Sequence, residues 1–285
     1  MNARQIVERE RSLAIYAGLS AIAVPVLFIA STVVITSISV PQGLATDEIR
    51  SFDSNAAPIL AASVLRALGL AAIAIPLYYL FRAAQARSER VIGAMVGFTV
   101  VAPVFLAAQS LLFFAGQNQL SGDFVAQAAS GGDVYTLLDD LAGDNSLLLA
   151  AGVAGQLAGL ALIVAMIYVP LQAMRVGLLT RFFATLGMAL GAATVLLPSL
   201  TPLPLTIWFS WLGFLILDRV PKGRPPAWDA GVAIPWPSGG AAPAKAEPEE
   251  VVEGDASEVF GNGAPPKDQT ARRERARKRK RKRRQ

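Results

Sequence analysis

Arg66 is the one charge well inside a long apolar run, Ala56–Phe81. Read as a membrane span entered near Pro58, that run holds the guanidinium about 12 Å deep, at 1.5 Å per residue. A charge there costs roughly 2.5–3.5 kcal/mol near a helix centre, so it must face a bundle interior or a watery cavity. Two amides fall at similar depth in other apolar runs: Gln109 about 9 Å and Gln156 about 15 Å below the same side. Ser110 lies beside the first. Together these groups form a candidate polar site open to the outside, with acidic residues of the 116–145 segment able to cap it. Two roles fit. In one, Arg66 pairs with an outer Asp or bonds Gln109 and Gln156, fixing helix register. In the other, it recognises an anionic solute or lipid headgroup. A proton relay needs intramembrane carboxylates, and the apolar runs hold none.

Other chemistries are excluded by composition. The 285 residues contain no Cys and no His. Thiolate nucleophiles, Cys or His metal sites and His-based triads are therefore impossible. Walker A, GxSxG and strand-linked GxGxxG patterns are missing, so neither an enzyme nor a bound cofactor is expected. Five scattered Asp in the 116–145 segment lack the ordered spacing of a calcium loop.

The second cluster with chemistry is the C-terminus. Residues 271–285 carry Arg272, Arg273, Arg275, Arg277, Lys278, Arg279, Lys280, Arg281, Lys282, Arg283 and Arg284 against one Glu, a net of +10. The other 270 residues carry fifteen basic and twenty acidic groups, a net of −5. Such a tail can hold anionic lipid headgroups, at about 1 kcal/mol per basic residue near a surface. It can also hold RNA or a ribosome through phosphates, or fold back on the acidic block Glu247–Glu258.

The elements that must position these groups are transmembrane helices. Hydrophobic residues make up 53% of the chain and charged ones 16%, against roughly 25% charged in soluble domains. Ser12–Thr46, Val91–Gly122, Asn145–Met174 and Phe182–Leu217 carry no charge at all. About 20 apolar residues cross a bilayer. Spans are expected near 13–39, 57–81, 91–115, 146–169, 177–198 and 203–218, giving an all-α polytopic bundle over 1–219. The last pair is a tight hairpin around Pro198, Pro202 and Pro204; one bent span would export the basic tail. Alternate loops hold eleven Lys/Arg against one, Arg50. This bias puts both termini in the cytoplasm and the protein in the plasma membrane. The first run is too long for a signal-peptide core.

Small residues four apart (Gly93/Gly97, Ala151/Gly155/Gly159, Gly187/Gly191) suit close helix packing within the chain, or homodimerisation. Pro25, Pro76 and Pro103 should each kink a span. Tyr78, Tyr79, Phe81, Trp208 and Trp211 are interface anchors. Val134–Leu141 suits a short amphipathic helix. Residues 220–285 form a tail expected to be disordered: Pro221–Pro266 is too rich in Pro, Gly and Ala to bury a core. Trp228 and Trp236 are unusual there, and suit contact with the membrane interface or a partner.

The arrangement resembles a loosely defined group of uncharacterised bacterial six-span membrane proteins. The resemblance rests on Asn55–Pro58 at the start of the second span, Arg66 within it and Tyr78–Tyr79–Leu80–Phe81–Arg82 at its end. It covers 13–218, leaves the tail unmatched and implies no activity. The expected role is a non-enzymatic membrane scaffold or regulator whose tail binds anionic lipid or RNA. The alternative is a small transporter or solute-binding protein using Arg66, Gln109 and Gln156.

Overall fold

A computed structural model of the chain describes residues 2–38, 45–128, 133–196, 202–221 and 223–236. All regular structure among them is helical: α1 Ala3–Thr36, α2 Ala45–Ser54, α3 Ala56–Ala72, α4 Ala74–Arg87, α5 Val96–Ala128, α6 Val134–Asp144, α7 Ser146–Arg175, α8 Arg181–Leu196, α9 Pro202–Ile216 and α10 Ala227–Ala230, with a 3₁₀ turn at Gly93–Met95. Four stretches are long and apolar enough to cross a membrane: Ala3–Thr36, Ala56–Arg87, Gly93–Ala128 and Ser146–Arg175. The outward stripe of α7 shows why burial cannot come from protein alone. Leu149, Val153, Leu157, Leu160 and Val164 recur at helical spacing and are all exposed, a face suited to lipid.

Packing follows chain order. α1 lies on α3, α3 on α5, α5 on α7 and α7 on α8, while α9 returns to α1. The helices thus close into a ring whose thinnest contact is between α8 and α9. α4 reaches α1, α5 and α7, filling one end of the ring. There Leu77, Leu80, Phe81, Met166, Phe209 and Leu212 form a fully buried cluster.

Pro76 explains the break between α3 and α4. It has no N–H to give the carbonyl of Ala72, four residues back. The hydroxyl of Ser20 on α1 donates to that carbonyl instead, at 2.8 Å. The helix is interrupted at Ile73, between α3 and α4. Pro25 and Pro103 behave otherwise: α1 and α5 run unbroken through them.

Most helices are longer than their apolar runs. α1 begins at Ala3, capped by Asn2 and Gln5 reciprocally, where hydropathy places the span start near 13. α5 continues through polar residues to Ala128, past the expected 115, and α4 and α7 extend to Arg87 and Arg175. Hydropathy marks the lipid-compatible part of a helix, while backbone hydrogen bonding continues into water. α6 contains the expected Val134–Leu141 helix; Asp133 caps it, its carboxyl held below the usual range by the Thr136 hydroxyl and the Tyr135 N–H. α8 and α9 are 16 and 15 residues long, about 24 and 22 Å, short of a hydrocarbon core of about 30 Å.

Small residues mediate contacts within the chain. A Cβ at Gly191 would collide with Met166 of α7, and one at Gly213 with Ile22 of α1. Asn145 caps α7 through Leu148 N–H and donates its amide to Gly116 of α5, at 3.0 Å.

The expectation of a disordered tail from residue 220 is corrected by 223–236, which pack on the helix ends. Trp228 is 2% exposed, stacks on Tyr79 at 5.9 Å and donates its indole N–H to Leu178 O at 2.9 Å. Trp236 donates likewise to Leu179 O at 2.8 Å. Ile234 N–H bonds Val176 O. Gly231, at φ 65°, turns the chain against the Ala3 carbonyl. Beneath this cap Arg87, its side chain 0% exposed, pairs with Glu10. Its second amino group bonds the other Glu10 oxygen at 2.9 Å, and its Nε donates to Ala227 O at 3.1 Å. Composition suggested a coil; two indoles and one buried ion pair supply the missing anchor. The basic residues 272–284 lie outside the described residues.

Candidate functional site

The depth counting above places Arg66, Gln109 and Gln156 near one level, and in the structure all three line one cavity of about 710 Å³. Three elements bring them there. Arg66 comes from α3, two turns before the break at Ile73, with Leu70 below it. Gln109 comes from α5, beside Leu106. α7 contributes Gln156 amid Gly152, Gly155 and Gly159. The wall opposite is Val24 and Phe28 of α1, with Thr194 of α8 and Leu205 and Thr206 of α9. The cavity therefore occupies the ring interior above the plug that α4 forms.

Glycines set its width. A Cβ at Gly155 would lie 3.0 Å from Gln109 Cγ, so the bare backbone lets the α5 amide lie against α7. At Gly152 a Cβ would meet nothing within 4 Å, leaving open space in the cavity wall. Gly155 thus serves packing and Gly152 room.

The polar groups are free to act. Among the described residues Arg66 donates no hydrogen bond and forms no ion pair, and Gln109 and Gln156 are equally without protein partners. The register-fixing bonds that Arg66 was offered in one reading of the sequence are not made. No carboxylate lines the cavity among the described residues, and Ser110 is not part of its wall. The acidic residues near it in sequence sit on α2, α6 and the extension of α5, which pack on one another. No group of acidic residues among the described residues could hold a metal ion.

Thr194 and Thr206 were not singled out by sequence reasoning. Their hydroxyls donate within their own helices, to Gly191 O at 2.6 Å and Leu203 O at 2.7 Å. Intrahelical bonding of this kind is ordinary for Thr, so only the ring topology marks them. Each oxygen keeps its acceptor capacity. The chemistry of the cavity is one fixed cation with five N–H donors, two amides able to donate and accept, and apolar walls.

No protein-family model, curated protein or solved structure matches the chain.

Proposed function

We propose that the chain is a six-span plasma-membrane protein, both termini cytoplasmic, that binds a small organic anion around Arg66 as a carrier or receptor rather than an enzyme. One observation carries this reading: a guanidinium midway along an apolar helix, with no partner among the described residues, lines a cavity shared by α1, α3, α5, α7, α8 and α9. A structural arginine in that setting would be paired, because an unpaired charge among apolar helices costs several kcal/mol. A volume of about 710 Å³ falls within the usual range of small-molecule sites. Mostly apolar walls with a few polar groups suit a ligand with an anionic head and an apolar body.

The topology draws on the arginines. Arg9, Arg82, Arg87, Arg90, Arg175, Arg181 and Arg224 gather at the end carrying the N-terminus and the 176–180 turn, while Asp47, Asp53, Asp123 and Asp140 belong to the other. That polarity is the positive-inside pattern. It makes the cavity face outward, with α4 closing the cytoplasmic side. α8 and α9 then form the fifth and sixth spans, each shorter than a hydrocarbon core.

The test is thermal unfolding of the purified full-length chain with a panel of short-chain carboxylates and organophosphates. Arg66→Leu removes the unpaired charge, so it should raise stability and abolish anion-dependent stabilisation. Arg66→Lys should retain part of it. Lower stability in Arg66→Leu, or an undiminished anion response, would show the arginine to be structural. The scaffold reading, in which the tail holds lipid or RNA, rests on the charge block of 271–285 and is separable. Truncation after residue 239 should remove RNA capture and leave anion binding intact.

A further inference from the structure

A second cavity, of about 270 Å³, lies between α1 and α4 at the basic end of the ring, away from Arg66. Its lining is divided by chemistry. One half is Leu13, Tyr16, Ala17, Ile75 and Tyr78; the other is Arg9, Arg82, Gln85 and Glu10. Leu13, Tyr16, Ile75 and Tyr78 are all exposed. Exposed tyrosines and aliphatics at the end of an apolar helix belong to the membrane interface.

Cross-helix contacts fix the depth of this groove. Ser31 of α1 bonds Ala62 of α3, and Ser20 bonds Ala72, so the two helices run antiparallel. At the far end Asn145 meets Gly116, and Phe52, just before α3, lies against Phe114 of α5. Twenty residues, about 30 Å, from the start of α3 at Ala56 reach position 76 in α4. The groove thus straddles the expected boundary, with its apolar half inside and its arginines at headgroup height.

The charges are free for a ligand. Glu10 lies in the groove, but both its oxygens are taken by Arg87 from behind. Arg9 makes no side-chain hydrogen bond or ion pair among the described residues, and both Arg9 and Arg82 are exposed. Among the described residues Arg82 has only the neutral Gln85 side chain as partner, at 2.9 Å. We infer that this groove is a docking site for an anionic phospholipid of the leaflet at the basic end. Arg9 and Arg82 hold its phosphate, and Leu13, Tyr16, Ile75 and Tyr78 seat the first part of its acyl chains. The positive pair matches the headgroup, and the adjoining apolar wall is continuous with the lipid-facing surface. A soluble anion would use only half of it.

The experiment is native mass spectrometry of the full-length chain, tail included, released from mixed phosphatidylglycerol and phosphatidylcholine micelles. Wild type should retain phosphatidylglycerol preferentially. Arg9→Gln/Arg82→Gln should lower that preference by roughly thirtyfold, at about fivefold per charge near the surface. Arg4→Gln, outside the groove, should not change it. Because both positions are exposed, the variants are expected to fold, and an unchanged unfolding temperature verifies this. Tyr78→Ala, which keeps both charges, should weaken retention of either lipid by severalfold. The proposal is overturned if the double variant keeps the wild-type preference, which would assign lipid retention to the tail. It is equally overturned if millimolar glycerol 3-phosphate displaces the lipid, since the site would then read a free anion.

Discussion

The bond from Ser20 to Ala72 allows a double-mutant test of how the fold tolerates the proline between α3 and α4. Pro76 leaves the Ala72 carbonyl without its i+4 partner, and Ser20 supplies the replacement at 2.8 Å. Interhelical hydrogen bonds of this kind are worth on average about 0.6 and at most about 1.7 kcal/mol. Here the alternative is an unsatisfied carbonyl, so the upper part of the range applies. Ser20→Ala should cost about 1.5 kcal/mol, roughly a twelvefold shift in the folded-to-unfolded ratio at RT of about 0.59 kcal/mol. In a Pro76→Ala background the new N–H reaches Ala72 O, and the same substitution should cost less than about 0.5 kcal/mol. The coupling, about 1 kcal/mol, can be read from four SDS-unfolding curves in mixed micelles. Ser31 is an internal control. It bonds Ala62 O at 2.8 Å, but that carbonyl has a helical partner in the Arg66 N–H, so Ser31→Ala should be milder than Ser20→Ala. Equal costs for Ser20→Ala with and without Pro76 would refute the account.

Other substitutions probe the cap and the cavity. Glu10→Gln leaves the fully buried Arg87 without its counter-charge and should cost about 3–5 kcal/mol in thermal or SDS unfolding, whereas Glu10→Gln/Arg87→Met together should cost less. Gly177→Ala places a Cβ against the Ile234 carbonyl at φ 82°, so limited proteolysis should cut between 219 and 236 faster than in wild type. A chain ended at 224 loses the buried Trp228 and should be about 3–5 kcal/mol less stable than one ended at 239, as denaturation midpoints will show. Gly152→Leu projects into open space in the cavity wall; it should leave stability within about 0.5 kcal/mol while lowering anion response at least tenfold in the thermal-shift panel.

Much of the site was legible because depth along a helix is arithmetic. Counting from the acidic end put Arg66, Gln109 and Gln156 within one layer, and chain-order packing turned them onto one cavity. The arithmetic could not say which groups would remain unpaired, because that depends on rotation about each helix axis. Thr194 and Thr206 were invisible for the same reason. Proline was an uneven guide to helix breaks: Pro76 interrupts its helix where Ser20 is at hand, while α1 and α5 continue through Pro25 and Pro103. Composition failed most plainly at 223–236. A segment rich in Pro and Gly cannot form a core of its own, yet two indoles can complete one already present. The Leu178 and Leu179 carbonyls receiving them are far away in sequence, beyond any local pattern.

The packing of α9 on α1 has a consequence for biosynthesis. α1 must wait for α9 before its inner face is covered, since Gly213 and Leu217 meet Gly18 and Ile22. Until then the wall that α9 gives the Arg66 cavity is missing. A nascent chain in that condition is a substrate for membrane quality control. Lesions at Gly18 or Gly213 should therefore be seen first as lost abundance in the cell, long before any defect in the finished molecule.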